Sequence, residues 1–386
     1  MPTLNLVPAS TEDFRRLAER RLPRFLFDYV DGGAYQEVTL RENVEDFQRV
    51  RLKQRVLIDA SAIDTTATVL GEKLSMPLAL SPIGLGGMTA RRGETQAKRA
   101  ADALGVPFCL STVGICSLEE VAAVSQKPFW FQLYMLRDRG PVKELLQRAK
   151  NAGVSTLVFT VDLAVVGARY RDVRNGMTGA GGAWGRLRSG AIAYLLHPGW
   201  TFDVGVNGKP HVFGNLADYV PDATNPNGFR EWIESQIDPS VTWKDIEWLR
   251  SIWGGKLVIK GVLSREDAAA AADCGADAIV VSNHGGRQLD GVASSIAVLP
   301  RIVDAVGART EILVDGGVRS GQDVLKARAL GAAAAMIGRP WVYALAAKGE
   351  NGVRQLLSTL KGEMKVSMTL TGAPVMNEVT TAILDT

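Results

Sequence analysis

The sequence predicts a (β/α)8 barrel, and three observations carry that expectation. Eight short apolar runs recur along the chain, at 76–82, 106–112, 129–134, 156–162, 256–261, 278–283, 311–317 and 333–339, each closing on polar or glycine-rich residues. Runs of this length without polar alternation are the pattern of parallel strands buried on both faces. Between them lie helical stretches rich in Ala, Leu, Glu, Lys and Arg, several opening on a capping pair: Ser117 with Glu120, Thr242 with Asp245, Ser264 with Asp267, Ser320 with Asp323. Most of the repeats take roughly 20–35 residues, the length of one strand–helix unit, and strand-then-helix repeated eight times is the barrel signature.

The elements follow in order. Residues 1–75 precede the barrel and are expected to cap its floor with helices, 76–350 form the barrel, and 351–386 return a helix to the body, so 1–386 reads as a single domain. One spacing is anomalous. Between the fourth and fifth runs a long excursion, 163–241, is rich in Gly, Trp and Tyr. Loops of that length are usually functional. Its Trp184, Tyr194, Leu195, Leu196 and Trp200, set among Arg186, Arg188 and Lys209, suit peripheral membrane contact through 175–240 or a lid over the site.

Composition narrows the class. A net charge of +3 over 386 residues does not point to nucleic acid. Cys109, Cys116 and Cys274 form no CxxC pair, which disfavours a disulfide framework and a structural zinc site and suits a reducing cytoplasm. The first residues lack the basic-then-apolar layout of a signal peptide, and no apolar run reaches the about 18 residues of a spanning helix. A metal site is not expected, because His197 and His211 lack ligand spacing.

Barrels of this kind carry their active sites at the C-terminal strand ends. Here those ends are polar: Gln132 and Tyr134; Thr160 and Asp162; Lys260; Ser282, His284 and Arg287; Asp315, Gly317 and Arg319; Gly338 and Arg339. Glycine lets backbone N–H groups approach a phosphate, and Arg319 and Arg339 add charge at the two loops where this fold usually binds one. No GxGxxG follows a strand, so a nicotinamide site is disfavoured and flavin mononucleotide (FMN) is the natural phosphate-tailed redox cofactor. Lys260 reads as a positive charge beside the flavin or, alternatively, as the Schiff-base lysine of a barrel aldolase. His284 reads as a general base held by Asp162, which is expected to raise its pKa. Arg169 and Arg287 suit a two-pronged grip on a carboxylate.

Together these residues resemble the FMN-dependent L-2-hydroxy-acid oxidising family. SNHGGRQLDG at 282–291 is the most specific motif; LPRFLFDYVDGGA at 22–34, WFQLY at 130–134, TVD at 160–162, VIKG at 258–261 and DGGVRSG at 315–321 match too. Within the family the sequence is most similar to the membrane-associated respiratory bacterial L-lactate dehydrogenases, through 31–46, 74–94, 131–140 and GARYRD at 167–172. The resemblance implies oxidation of an L-2-hydroxy acid, most simply L-lactate to pyruvate, with L-mandelate and glycolate as alternatives. It implies FMN as cofactor, a quinone-type acceptor, a cytoplasmic protein peripheral on the inner face of the cell membrane, and a homo-oligomer, by analogy a tetramer. It places Arg169, Arg287, Tyr29 and Tyr134 on the substrate, His284 as base beside Asp162, and Lys260 by the flavin. It further places Pro82, Ile83, Gly84, Ser111, Gln132, Thr160 and Ser282 around the ring, and Asp315, Gly317, Arg319, Gly338 and Arg339 on ribityl and phosphate. Gly84 implies a dehydrogenase rather than an oxidase. After Asp162 the chain reads LAVVGARYRD where those dehydrogenases carry proline, which directs Val165 and Val166 toward the substrate pocket.

Overall fold

A strand forms within each of the eight apolar runs. The structure, a computed structural model, describes residues 7–175, 192–220 and 235–385. An antiparallel hairpin, β1 (Ala67–Val69) and β2 (Glu72–Leu74), precedes the barrel strands. These are β3 (Leu78–Leu80), β4 (Cys109–Ser111), β5 (Phe129–Leu133), β6 (Val154–Thr160), β7 (Lys256–Val262), β8 (Ala278–Val281), β9 (Glu311–Val314) and β10 (Ala334–Ile337). They pair in parallel in the order β3-β10-β9-β8-β7-β6-β5-β4. A parallel bridge between Leu80 and Phe108 closes the remaining gap, with the Leu80 N–H donating to the Pro107 carbonyl at 2.9 Å.

Strand alternation sorts the apolar residues into two layers. Outward-facing Phe129, Phe131, Leu133, Leu157, Phe159, Leu257, Ile259, Ile279 and Val281 pack beneath the surrounding helices. Inward-facing Cys109, Trp130, Val158, Val258, Ala278, Val280, Leu313, Ala334 and Met336 fill the interior. The capping pairs are formed: Ser117 with Glu120, Thr242 with Asp245 and Ser320 with Asp323 cap reciprocally, and the Ser264 side chain accepts from the Asp267 N–H.

The expected helical floor is not what closes the barrel. Ala67, Val69, Leu70 and Leu74 of the hairpin plug the N-terminal end, and the Leu70 N–H is held by the carboxylate of Glu311 at the start of β9. The N-terminal helices α1 (Thr11–Arg21), α2 (Arg24–Asp31) and α3 (Val38–Arg49) go elsewhere. α1 packs on the last helix, while α2 and α3 reach the opposite end, because loops after β8 and β10 bond to their backbone and side chains. The last helix, Arg339–Thr371, breaks at Lys348 and Gly349, which lies at φ +62°.

Candidate active site

Above the apolar filling, the same inward register delivers Ser81, Ser111, Gln132, Thr160, Lys260, Ser282, Asp315 and Gly338. Over them opens a cavity of about 540 Å³. Tyr29, Pro82, Ile83, Gly84, Tyr134, Thr160, Arg169, Lys260, His284, Arg287, Asp315, Gly317, Arg319, Gly338 and Arg339 all reach its wall. Ser111 and Gln132 lie just below, joined by a 3.0 Å bond from the Ser111 hydroxyl to Gln132 Oε1.

Lys260 is 4% exposed. Its ammonium pairs with Asp315 Oδ2 at 2.9 Å and donates to Ser282 Oγ at 2.9 Å. Burial opposes the charge, but the carboxylates of Asp315 and Asp162 outweigh it and raise the pKa. A Schiff-base lysine must shed its proton, so this environment works against the aldolase alternative.

His284 Nδ1 meets Asp162 Oδ1 at 2.8 Å. With the Nδ1–H donating to the carboxylate, Nε2 is left unprotonated as the free base. Burial, with Lys260 and Arg169 adding to it, lowers the His284 pKa overall; Asp162 raises it, as expected, but is outweighed. The ring is thereby kept neutral and ready to accept a proton. Asp162 is itself held below the carboxylate range: burial works against its charge, but His284 and Lys260 prevail.

Two arginines face the same space. Arg287 donates to the carbonyls of Tyr29 at 2.6 Å and Gly32 at 2.9 Å, and its guanidinium stands 4.8 Å from the Tyr29 ring centroid. Arg169 is turned toward the same ring at 6.0 Å. Burial and the neighbouring Arg287 push its pKa down to about 10, so it stays charged at neutral pH, with Asp172 as a loose ion-pair partner at 3.8 Å. Burial likewise pushes the Tyr134 hydroxyl well up, and the Asp162 charge adds to this. An anion is what this pair of cations is short of.

At the phosphate end, Arg339 and Gly317 both reach the cavity wall and also make close contacts within the protein. Arg339 Nε donates to the Val30 carbonyl at 3.0 Å, Nη1 to Gly285 at 2.8 Å and Nη2 to Gly32 at 2.7 Å, so its side chain braces α2 against the β8 loop. Gly317 is a glycine for packing: at φ +97°, an added Cβ would stand 1.9 Å from the Asn43 carbonyl of α3. The helix N-terminus at Gly338, which has no side-chain cap, stands on the cavity wall with Gly317, Arg319 and Arg339, a setting suited to a phosphate.

Buried polar atoms without a protein partner ring the cavity base: Ser81 Oγ, Gln132 Nε2, Thr160 Oγ1 and Asp315 Oδ1. Unpaired buried groups are costly, and a heteroatom-edged ring such as an isoalloxazine supplies the donors and acceptors they lack. The residues present therefore fit FMN. Of these, Ser81 was missed by sequence reasoning, although it sits one alternation step beyond Ala79.

The excursion also contributes. Trp200 is buried, donates to the Met88 carbonyl at 2.8 Å, stacks on Tyr194 (5.6 Å) and meets Phe25 edge-on (6.5 Å). Tyr194, named in the lid alternative, reaches the cavity, as do His211, Phe213, Leu163 and Ile237, which were not expected there. Val166 lines it as expected; Val165 is 70% exposed and does not. Trp184, Arg186 and Arg188 lie outside the described residues.

Comparison with known proteins agrees with this geometry. The model of the FMN-dependent dehydrogenase family matches residues 18–386. An L-lactate dehydrogenase of Caulobacter sp. (strain K31) is 55% identical over 98% of this chain and 99% of its own. One from Alcaligenes faecalis is 53% identical over 98% and 99%. Among solved structures, (S)-mandelate dehydrogenase, described as a monotopic membrane protein, superposes with a TM-score of 0.92 at 36% identity, covering 98% of this chain and 100% of the other.

Proposed function

The chain belongs to the FMN-dependent dehydrogenase family and is an L-2-hydroxy-acid dehydrogenase with FMN as cofactor, and from that premise we propose that it oxidises L-lactate to pyruvate through His284. The observation that carries this reading is the 2.8 Å His284–Asp162 contact, set opposite Arg169 and Arg287 in one cavity. Arg169 and Arg287 hold the substrate carboxylate, and Tyr29 and Tyr134 meet its oxygens. His284 accepts the substrate proton at Nε2, and Asp162 stabilises the imidazolium that forms. The chemistry FMN would supply when bound is acceptance of the two electrons and the second hydrogen that leave the substrate. Lys260 would place a positive charge at the edge of the ring; Gln132, Thr160 and Ser81 would bond its heteroatoms; Gly317, Arg319, Arg339 and the N-terminus at Gly338 would hold the phosphate. L-lactate is favoured by the two L-lactate dehydrogenases at 53–55% identity.

The physiological acceptor in this reading is a quinone, reached by a peripheral protein on the inner face of the cell membrane, and the assembly is a homotetramer. No described helix is long and apolar enough to cross a membrane. Leu195 (78% exposed), Leu196 (72%), Phe202 and Val206 present apolar surface on the excursion. The same segment packs over the cavity, so it serves as lid and membrane contact together.

The test is anaerobic mixing of the purified protein with L-lactate, L-mandelate and glycolate while flavin absorbance is followed. Bleaching by L-lactate at the lowest concentration is expected. Preference for L-mandelate would overturn the substrate assignment, and no bleaching by any of the three would overturn the proposal.

A further inference from the structure

The motif around His284 runs on through Asp290, beyond any group that faces the cavity. His284 (φ +59°), Gly285 (+65°) and Gly286 (+71°) form three consecutive left-handed residues. Glycine takes that conformation freely and histidine does not, so something must hold His284 in it. Within the loop, the His284 N–H donates to Ser282 Oγ at 3.0 Å and the Gly286 N–H to Asn283 Oδ1 at 3.0 Å.

Asn283 is in turn locked from outside. It forms a reciprocal amide pair with Asn43 of α3, Nδ2 to Oδ1 at 2.8 Å in both directions. Both residues are almost wholly buried. Asn283 Nδ2 spends its second proton on the Ala293 carbonyl at 3.2 Å, and Asn43 Oδ1 also accepts from the Ser295 N–H at 3.3 Å. The far end of the loop grips the same helix. Asp290 accepts from the backbone N–H groups of Gln36 and Thr39 at 3.1 and 2.8 Å, capping α3, whose own N-cap residue Glu37 makes no side-chain cap. The Thr39 hydroxyl donates to the Val292 carbonyl. On its other side the Asn43 carbonyl abuts Gly317.

From this wiring we propose that Asn43 is a positioning residue for the reaction: through Asn283 it holds the left-handed turn that aims His284 into the cavity, with Asp290 anchoring the loop to α3. A leucine or alanine at position 43 would remove both bonds that tie Asn283 to α3, leaving one buried Nδ2 proton unmet and the turn held only by contacts within its own segment, free to relax toward conformations open to a non-glycine residue. The inference rests on the assignment of His284 as base.

The test uses the full-length flavin-loaded protein. Asn43→Ala, Asn283→Ala and the double variant are compared by two measurements: the rate of anaerobic flavin reduction at saturating hydroxy acid, per bound flavin, and the affinity for 2-hydroxy-2-methylpropanoate, which binds but has no transferable hydrogen. Asn43→Ala is expected to slow reduction roughly 10- to 100-fold, the scale of a misplaced reacting group, with analogue affinity changed less than the rate. The double variant should be no slower than the worse single one, since both act through one pair. An unchanged rate per bound flavin, whatever happens to thermal stability, would overturn the proposal. Where Asn43→Ala retains no flavin, Asn43→Ser decides by the same two numbers. His284→Gln is the control: if it reduces flavin normally, the base assignment falls; if it is inactive while Asn43→Ala is normal, only the positioning role falls.

Discussion

The two ends of the barrel are built from the same strands and do opposite work. At the floor the inward register carries Trp130, Val158, Val258 and Leu313, sealed by the β1–β2 hairpin. Two residues further along the same strands, it carries Gln132, Thr160, Lys260 and Asp315; Gln132 Nε2, Thr160 Oγ1 and Asp315 Oδ1 are buried without a protein partner, a state that Trp130 Nε1 shares among the floor residues just named. The floor is packed for stability. The mouth is held in a costly arrangement of buried charge, two neighbouring arginines and a left-handed histidine, sustained by the packing beneath it. Stability and chemistry are thus separated along the barrel axis, and substitutions at the two ends should separate in the same way.

The sharpest break in that comparison is His284→Gln. It should lower kcat/KM by roughly 10²–10⁴-fold, the worth of a positioned general base, with the thermal midpoint nearly unchanged; a large midpoint shift would show that mouth and floor are not separable. Trp130→Ala is the mirror case. It should cost about 3–5 kcal/mol of unfolding free energy in urea titration, while the folded fraction keeps its rate of flavin reduction. Arg169→Met comes next. Losing a charge-assisted hydrogen bond should weaken substrate binding by about 1.5–3 kcal/mol, read as a raised KM. Because burial and Arg287 depress the Arg169 pKa to about 10, the substrate-free protein should be no less stable for the change.

The smallest effect concerns pH. His284 works as a base only when neutral, and its pKa is lowered by burial from the ordinary 6.5, with Lys260 and Arg169 reinforcing and Asp162 opposing. Activity should therefore persist through pH 6.5 and fall only at lower pH, as the ring protonates. Asp162→Asn removes the opposing carboxylate charge and should shift that acid limb lower still. A limb in kcat/KM above 6.5 would mean that Asp162, rather than burial, controls the ring.

Much of this was legible in the sequence, because strand runs, capping pairs and the residue just past each strand are local patterns. They placed all eight barrel strands and the residues at their polar ends, and the motif at 282–291 pointed to the base. The tertiary structure alone decided what joins residues far apart. A hairpin rather than a helix fills the floor, Arg339 joins the end of α2 to the β8 loop through the Val30, Gly32 and Gly285 carbonyls, and Gly317 is small because α3 lies against it. The partner of Asn283 is 240 positions away, and no periodicity announces it. The protonation state of His284 is also a tertiary matter. It is a balance between burial and charges brought in from β6, β7 and the excursion, and only the folded chain sets those distances.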